Sequence, residues 1–303
     1  IVIPVYNEEE NIPVLYNKVR SVIKKLNKGY EMIFVDDGST DSSFKVLERL
    51  HRKDKNVKII KLRGNFGQTA ALNVGFKYAK NPVIVTMDAD MQNDPGDIPN
   101  LLSKLKEGYD VVSGWRYKRN DPISKVFFSN ISNLLRGLIT KETIHDSGCS
   151  LKAYKRECFE DLELYGEMHR FIPTLLRWKG FKVGEVKVSH FQRKYGKSKY
   201  NYKRIFRGFA DLVNAKLLMD YSTRPSYLFF NIGILNIVMA IVLGLYNISK
   251  YGLAFNVGPT LLGAVLFFII GIQFISFGFL GEMQAKTYYS LKKPYNIEKI
   301  LER

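Results

Sequence analysis

Two aspartates one residue apart, Asp88 and Asp90, follow an apolar run in the segment VTMDADMQND at positions 85–94. The run itself, residues 83–87, has the composition of a buried β-strand. A carboxylate at the end of a buried strand is costly unless a cation or a hydrogen-bond donor receives it. The spacing alone decides little, because an Asp-x-Asp pattern is expected about once by chance in a chain of this length. The pair therefore indicates either a ligand-binding strand end or a solvated turn.

The elements that must position this pair are short β-rich runs in alternation with helical patterns. The runs are IVIPV at 1–5, EMIFV at 31–35, VKIIKL at 57–62, VIVTM at 83–87 and DVVSG at 110–114. Between them, apolar residues recur with the period of a helix, as at Ile12, Leu15 and Val19. Strict alternation of strand and helix predicts an α/β domain, a mostly parallel sheet covered on both faces.

Polar and turn-forming residues follow four of the predicted strands. They are PVYNE at 4–8, DDGS at 36–39, RGNFGQ at 63–68 and DAD at 88–90. Ligands of open α/β sheets bind beyond the carboxyl ends of the strands, so these segments predict a nucleotide-binding edge. A dinucleotide site and a P-loop are disfavoured, because neither GxGxxG after the first strand nor GxxxxGK[ST] occurs.

Composition adds a charge argument. The chain of 303 residues has a formal net charge of +17, which indicates an anionic partner such as acidic lipid or a phosphate-bearing substrate. Its two cysteines, Cys149 and Cys158, form no CxxC pair, so neither a zinc site nor a disulfide framework is expected. Because Ile1 already lies in an apolar run, we expect the native start to lie upstream.

Two long uncharged stretches, residues 226–246 and 252–281, stand apart from the rest. A membrane-spanning helix needs about 20 apolar residues, so a transmembrane hairpin is predicted over 225–285, with spans at about 226–248 and 257–281. A buried core helix is the alternative, although such helices seldom run this long without a polar face. Basic residues are frequent outside the hairpin, whereas the connection 247–256 has only Lys250. The positive-inside rule therefore predicts cytoplasmic termini, including the tail 286–303.

The segment before the hairpin, 201–224, reads as an amphipathic interfacial helix and linker. Apolar residues such as Ile205, Phe209 and Leu212 fall on one side, and Arg204 and Arg207 fall near the other. Such a helix suits the surface of an anionic membrane. The positive charge then needs no nucleic acid, and basic patches with base-reading motifs are absent from the sequence.

The ordered set of motifs resembles a known family. PVYNEEENI, VDDGSTD, RGNFGQTAALNVGF, DADMQNDP and GWRY, in this order and spacing, are similar to the family 2 glycosyltransferases of the GT-A fold. Later segments, DSGCSLKAYKRE at 146–157, GEMHRF at 166–171, RKYGKSKY at 193–200 and the hairpin, resemble the polyprenyl-phosphate glycosyltransferases of the dolichol-phosphate mannose synthase group. The resemblance covers essentially the whole chain and implies a GT-A catalytic domain over 1–200.

On the donor side, the resemblance implies that Asp88 and Asp90 hold Mg²⁺ or Mn²⁺, with Gln92 able to complete the metal shell. Side chains two apart on an extended segment point the same way, and oxygen ligands suit these cations. The nucleotide-sugar residues implied by the resemblance are Pro4, Tyr6, Glu8, Asp36, Asp37, Gly67, Gln68, Asp88 and Ala89. Of these, Tyr6 is expected to stack on the base, and Asp36 and Asp37 to bond base or ribose. The segment 37–39 is equally suited to a turn before a helix.

On the acceptor side, the resemblance implies a clamp for a lipid phosphate. Its members are Arg116, Lys125, Ser129, Arg193 and Lys199. Cationic groups suit a phosphate because charge-assisted hydrogen bonds are short and strong. Glu167, His169 and Arg170 match pocket-lining positions of related enzymes, although a lone histidine is more often structural.

Asp146 matches the usual candidate for general base in this fold. A lipid monophosphate has its second pKa near 6, so at neutral pH it needs aiming more than deprotonation. Asp146 is therefore expected either to take a proton or to position groups near the metal. With Asp90, it completes the predicted catalytic residues.

The sequence as a whole predicts an inverting glycosyltransferase that moves a sugar from a UDP- or GDP-sugar to polyprenyl (undecaprenyl or dolichyl) phosphate at the cytoplasmic membrane face. The alternatives are transfer to another lipid or polysaccharide, and a catalytically silent membrane scaffold. Processive synthases usually carry more spans and a QxxRW-like motif, and neither is present. The sequence leaves open whether the chain forms a homo-oligomer.

Overall fold

The protein was analysed as a computed structural model, which describes residues 1–117, 144–160, 162, 164, 166–192, 216–217, 220–221, 224–252 and 258–291. The chain divides into two compact units, Ile1–Ala215 and Lys216–Arg303, and each is described by itself. Lys125, Ser129, Arg193 and Lys199 lie outside the described residues, as does most of the predicted interfacial helix.

The first unit is a seven-stranded sheet with helices between its strands. The strands are β1 (Val2–Val5), β2 (Met32–Asp36), β3 (Val57–Lys61), β4 (Val83–Thr86), β5 (Val111–Arg116), β6 (Lys152–Lys155) and β7 (Val183–Val188). The helices are α1 (Asn11–Lys25), α2 (Ser43–Lys53), α3 (Gln68–Tyr78), α4 (Ile98–Lys106) and α5 (Ile172–Trp178). Short 3₁₀ turns occupy Pro95–Asp97, Arg156–Phe159 and Met168–Phe171.

The sheet order is β3-β2-β1-β4-β6-β5-β7. Strands β1 to β4 are parallel, and β5 is parallel to β7. Strand β6 is antiparallel to both neighbours, β4 and β5. The five predicted strands are present and the mostly parallel sheet is confirmed, but β6 and β7 were not predicted. Since β6 lies between β4 and β5, it brings residues 146–151 beside the end of β4.

Apolar residues of α1 and α4 and of the central strands form the core of this unit. Ile3, Phe34, Leu15 and Leu101 are fully buried there. Strand β2 is buried along its whole length, as expected for a central strand with helices on both faces. This rigid sheet carries the loops that contain the motifs at its carboxyl edge.

The second unit contains two long helices, α6 (Ser226–Tyr251) and α7 (Pro259–Leu291). Both are long and apolar enough to cross a membrane, with mean hydropathies of 2.4 and 2.3 over their most apolar windows. Only 11% and 17% of those windows are buried, so neither has the burial of a core helix. The predicted stretch 226–248 falls on α6, which extends to Tyr251, and residues 259–281 of the second stretch fall on α7, which extends to Leu291.

The two long helices pack closely where glycines face each other. A Cβ on Gly233 would lie 2.8 Å from the carbonyl oxygen of Gly271, so a larger side chain there would separate the helices. Side-chain hydrogen bonds join the pair near both ends. Ser226 Oγ donates to Glu282 Oε2 at 2.6 Å, and Asn247 Nδ2 donates to Thr260 Oγ1 at 2.9 Å. Small residues at a helix crossing are typical of membrane helix pairs.

Candidate active site

The turn after β4 presents Asp88 and Asp90 at the carboxyl edge of the sheet. The Oδ1 atom of Asp90 accepts a hydrogen bond from the N–H of Gln92 at 3.1 Å. Met91, between them, has φ 63°, a left-handed conformation that is uncommon for a residue with a side chain. Such backbone conformations cluster at functional sites, where surrounding contacts maintain them. The turn is therefore held in a specific shape and is not a loose strand end.

The Asp88 carboxylate contacts a neighbouring element directly. Gln68 Nε2, in the first turn of α3, donates to Asp88 Oδ1 at 2.7 Å. Burial, with the nearby negative charge of Asp90, raises the pKa of Asp88 to about 7, although Ser150, Arg116 and Lys152 act in the opposite direction. The two carboxylates thus repel each other in a partly buried place. A bound cation would relieve that repulsion.

The loops after β1 and β2 are joined by reciprocal hydrogen bonds. Asn7, at φ 56°, accepts from Thr40 N at 2.8 Å through Oδ1, and its N–H donates to Ser39 Oγ at 3.0 Å. The N–H of Glu8 donates to Ser43 Oγ at 2.8 Å. These bonds fix the predicted base-binding segment 4–8 against the segment that follows β2. Asn7 was not among the predicted site residues.

Within that segment, Pro4 lies on β1, and Tyr6 is half-buried in the loop that follows. The Oε2 atom of Glu8 accepts a hydrogen bond from Nδ2 of Asn11 at 2.6 Å, so the Glu8 carboxylate is bonded to the first residue of α1. All three predicted residues thus lie in β1 or in the loop that follows it.

Asp36 and Asp37, at the end of β2, have different surroundings. Asp36 Oδ1 accepts from Ser39 N at 3.0 Å, whereas its Oδ2 is buried and has no hydrogen-bond partner within the described part of the chain. Asp37 accepts from Phe66 N at 2.8 Å and Gly67 N at 2.9 Å. Burial raises the pKa of Asp37 above its usual value, and these two N–H groups offset part of the rise. Asp36 thus keeps one buried oxygen without a partner among the described residues, while Asp37 holds the loop before α3.

The loop after β2 needs a glycine where the loop before α3 approaches it. Gly38 has φ 71°, and a Cβ there would lie 2.8 Å from the backbone nitrogen of Asn65. The close approach places Gly67 and Gln68 at the start of α3, next to the β4 turn. Ala89, between the two aspartates, is buried, so its side chain faces the core and only its backbone is at the edge.

Arg116 and Asp146, which the sequence analysis assigned to separate roles, are bonded to each other. Arg116 Nε lies 2.7 Å from Asp146 Oδ2, and Arg116 Nη2 lies 2.9 Å from Oδ1. The backbone N–H of Arg116 also donates to Oδ2 at 3.2 Å. Asp146 is 1% exposed, and its own N–H donates to Glu185 Oε1 at 3.3 Å. The carboxylate is thus held in a bidentate ion pair at the end of β5.

Three further polar residues under the site were missed by sequence reasoning. Ser150 Oγ accepts from Asp88 N at 3.1 Å and from Asn93 Nδ2 at 2.8 Å. Lys152 is 3% exposed, donates to the carbonyl oxygen of Ser147 at 2.9 Å, and is near enough to Asp88 to lower its pKa. The available signal was their place inside the motifs DADMQNDP and DSGCSLKAYKRE. Their contacts could not be read from the motifs.

The GEMHRF segment also reaches the start of α3. His169 Nδ1 lies 2.7 Å from Thr69 Oγ1, and Arg170 Nη2 lies 3.2 Å from Glu167 Oε2. The contact of His169 ties the 3₁₀ turn Met168–Phe171 to the residue after Gln68, and the ion pair lies within the GEMHRF segment. The proposed pocket-lining role of the three residues stays a prediction.

The donor set at the β4 turn suits a hard divalent cation. Asp88 and Asp90 supply carboxylate oxygens, and Gln92 is the next polar residue of the turn. Among the described residues no group of three or more His, Cys, Asp or Glu is placed to hold a metal. Two carboxylates that leave positions for substrate oxygens and water fit Mg²⁺ or Mn²⁺, which bind few protein ligands beside phosphates.

Comparison with solved structures tests the predicted fold. Glucosyl-3-phosphoglycerate synthase from Mycobacterium tuberculosis, crystallised with Mn²⁺, UDP-glucose and phosphoglyceric acid, matches with a TM-score of 0.55 and 16% sequence identity, over 72% of this chain and 77% of that chain. A likeness at this identity shows the fold alone, and it confirms the predicted GT-A fold, a glycosyltransferase architecture. The chain belongs to the glycosyl transferase family 2, whose family model matches residues 1–163.

Two curated relatives match over nearly the whole chain. Dodecaprenyl-phosphate galacturonate synthase of Rhizobium johnstonii is 37% identical over 297 residues, 95% of this chain and 88% of that protein. Undecaprenyl-phosphate 4-deoxy-4-formamido-L-arabinose transferase of Salmonella choleraesuis is 35% identical over 299 residues, 96% of this chain and 89% of that protein. The resemblance to polyprenyl-phosphate sugar transferases is therefore confirmed, and the chain is an enzyme of the glycosyltransferase class.

Proposed function

We propose that this chain transfers a sugar, with inversion, from a UDP- or GDP-sugar to undecaprenyl or dolichyl phosphate at the cytoplasmic membrane face. One observation carries the proposal. The identity to two polyprenyl-phosphate sugar transferases extends over 95% and 96% of the chain, so it includes both apolar helices as well as the site. A likeness confined to residues 1–163 would support only glycosyl transfer in general.

The nucleotide sugar is proposed to bind along the edge formed by β1, β2 and β4. The Oδ2 atom of Asp36 is buried and has no partner in the part of the chain that the structure describes, which supports a ligand donor there, such as a ribose hydroxyl or a base N–H. Tyr6 is proposed to stack on the base, with Pro4 and Glu8 shaping the pocket. Asp37 acts in this proposal through the loop that it holds, since its carboxylate accepts from Phe66 and Gly67.

The divalent cation is proposed to bind Asp88 and Asp90, with Gln92 completing its shell. When bound, Mg²⁺ or Mn²⁺ neutralises the negative charge that develops on the departing nucleoside diphosphate. Gln68 contributes by holding the Asp88 carboxylate at 2.7 Å, and Gly67 and Gln68 place the start of α3 near the diphosphate.

The acceptor phosphate is proposed to bind beside Arg116. Asp146 fixes the plane of the guanidinium, which matches the bidentate geometry of a phosphate. The same ion pair neutralises much of the charge of Arg116. In this proposal Arg116 therefore orients the phosphate by hydrogen bonds more than it attracts it by charge. The attraction is proposed to come from Lys125, Arg193 and Lys199, with Ser129 as a neutral donor.

In the proposed reaction, an oxygen of the lipid phosphate forms a bond to the anomeric carbon of the sugar. The bond from that carbon to the diphosphate oxygen breaks, and the nucleoside diphosphate leaves with the electron pair. The phosphate is mostly dianionic at neutral pH because its second pKa is near 6. No proton then has to be removed from it, and Asp146 acts by positioning Arg116.

The membrane part of the proposal rests on the two apolar helices and the basic residues outside them. We propose that α6 and α7 span the membrane as a hairpin with both termini cytoplasmic, and that residues 201–224 lie at the surface. A lipid phosphate lies at that same surface, where the acceptor must be bound.

The test is an assay with the full chain in detergent. Radiolabelled UDP- and GDP-sugars are incubated with undecaprenyl phosphate, dolichyl phosphate, another lipid or a polysaccharide primer, with Mn²⁺, Mg²⁺ or EDTA. We expect label to enter the polyprenyl fraction only, from one donor class, and only with a divalent cation. Transfer to the other lipid or the primer instead would favour the alternative acceptor, and no transfer from any donor would refute the proposal.

A further inference from the structure

The hydroxyl of Ser150 accepts two hydrogen bonds from the acidic turn after β4. Its Oγ accepts from the backbone N–H of Asp88 at 3.1 Å and from Asn93 Nδ2 at 2.8 Å. A hydroxyl has two acceptor lone pairs and one hydrogen. Both lone pairs of the Ser150 hydroxyl are thus occupied, one of them by the backbone N–H of Asp88. The rotation of the hydroxyl is therefore determined by its two donors.

Asp88 is in this way held at two points. Gln68 Nε2 donates to its carboxylate from α3 at 2.7 Å, and Ser150 Oγ, in the segment before β6, accepts from its backbone N–H at 3.1 Å. An aspartate held at both its backbone and its carboxylate has less freedom to turn its oxygens away from a shared ligand. Gln68 was predicted from the sequence as a nucleotide-sugar residue, whereas nothing assigned a role to Ser150.

Ser150 is itself fixed by its surroundings. Its carbonyl oxygen accepts from Thr86 Oγ1 at 2.8 Å, across the antiparallel pairing of β4 and β6. Asn93 is 5% exposed, and its Oδ1 accepts from Cys149 Sγ at 3.5 Å. Asn93 lies three residues after Asp90, so this amide connects the acidic turn to residues 149 and 150. The hydroxyl thus has little freedom to move away from Asp88.

We infer that Ser150 is a positioning residue for the divalent cation, with Asn93 orienting its hydroxyl. Ser150 holds the backbone of Asp88, so that the carboxylate stays at the place where the cation binds, and it does not touch the cation or the substrate. This inference rests on the proposed function, since it requires a metal at Asp88 and Asp90. Partners behind metal ligands typically change metal affinity or activity by about 10–100-fold when removed.

The test compares Mn²⁺ binding by the full chain and its variants in detergent. Electron paramagnetic resonance counts free Mn²⁺ in the presence of saturating UDP or GDP, and the Mn²⁺ concentration for half-maximal transfer is measured in parallel. We expect Ser150→Ala to weaken Mn²⁺ binding roughly 10–100-fold, with the KM for lipid phosphate unchanged. Ser150→Thr, which keeps the hydroxyl, should restore binding. Ser103→Ala, on the exposed face of α4, is the matched control and should bind as the wild type does.

A second variant keeps the inference open to refutation if Ser150→Ala does not fold. Asn93→Ala keeps the hydroxyl but removes the amide that orients it, so Mn²⁺ binding should be weaker than in the wild type. Wild-type affinity in a folded Ser150→Ala or Asn93→Ala would overturn the inference and leave the proposed function intact. Equal weakening in Ser150→Ala and Ser150→Thr, with a lowered melting temperature, would show a structural role only. Absence of Mn²⁺ binding by the wild type would refute the metal proposal and this inference with it.

Discussion

Asp146 and Arg116 form a bidentate ion pair, in which Arg116 Nε lies 2.7 Å from Asp146 Oδ2 and Arg116 Nη2 lies 2.9 Å from Oδ1. Asp146 is 1% exposed, so its carboxylate contacts Arg116 and not the solvent. Both of its oxygens accept hydrogen bonds from Arg116. The pairing therefore favours positioning over proton transfer for Asp146.

The first prediction concerns Asp146→Asn. The amide cannot accept both arginine bonds, so Arg116 should lose its orientation, and the apparent KM for lipid phosphate should rise about tenfold, the equivalent of about 1.4 kcal/mol. The pH–rate profile should still rise through the ionisation of the phosphate near pH 6. A kcat loss of order 10²–10⁴-fold, with the acidic limb gone, would instead identify Asp146 as the general base.

The second prediction concerns the charge of Asp90. Asp90→Asn keeps an oxygen for the Gln92 N–H and so preserves the turn, but it removes one carboxylate from the cation. We expect transfer to fall at least about 100-fold, since a catalytic metal contributes several kcal/mol. Asp94→Asn is the matched control, because Asp94 caps the following 3₁₀ turn through Gly96 N. Equal turnover in both variants would contradict the metal assignment.

The third prediction concerns the interlocked loops. Asn7→Ala removes the oxygen that accepts from Thr40 N and places alanine at φ 56°. The walls of the proposed base pocket should loosen, and the KM for the nucleotide sugar should rise several-fold while that for lipid phosphate stays constant. Asn7→Gly relieves the backbone strain without restoring the bond, so it should recover thermal stability but not KM. Recovery of KM in the glycine variant would show that strain, and not the lock, is the cause.

The fourth prediction concerns stability in acid. Burial opposes ionisation of Glu31, but hydrogen bonds from Lys58, Lys80 N and Asn81 N outweigh it and lower the pKa to about 2, from an ordinary value of 4.5. Because the folded pKa is the lower one, the ionised group stabilises the fold above about pH 4.5, and this stabilisation is lost as pH falls toward 2.

Glu31→Gln should therefore lower the melting temperature at neutral pH and flatten its fall between about pH 4.5 and 2. Fluorescence of Trp115 and Trp178, the two tryptophans of the chain, reports unfolding of the first unit. Glu10→Gln, at an exposed position, is the control. An unchanged pH dependence in Glu31→Gln would contradict the assigned pKa.

The strands and the acidic turn could be predicted because their signals are local. Residues 83–87 are apolar and β-rich, and the aspartates follow within the same segment. Strand β6 could not be predicted in the same way, because KAYK is short and its Lys152 is buried, against the usual preference of lysine. Its place between β4 and β5 follows from long-range pairing that no local pattern encodes.

The sequence predicted that several polar residues lie at one edge of the sheet, but it did not predict the contacts among them. Asp37 and Gln68 were expected to face the nucleotide, but the structure bonds Asp37 to Phe66 and Gly67, and Gln68 to Asp88. Partners separated by 20 to 30 residues meet only after the sheet forms. Ser150 and Asn93 were missed for the same reason, because only the folded sheet brings the Ser150 hydroxyl next to Asp88 and the Asn93 amide.

The central claim is that one sugar is joined to the phosphate of a polyprenyl phosphate. Mass spectrometry of the lipid product made by the full chain from undecaprenyl phosphate and the accepted sugar nucleotide tests this most directly. The account predicts a product whose mass equals the lipid, one phosphate and one sugar, together with an equal amount of free nucleoside diphosphate. A product with two phosphates, accompanied by nucleoside monophosphate, would contradict it, because the bond broken would then lie within the diphosphate and not at the anomeric carbon.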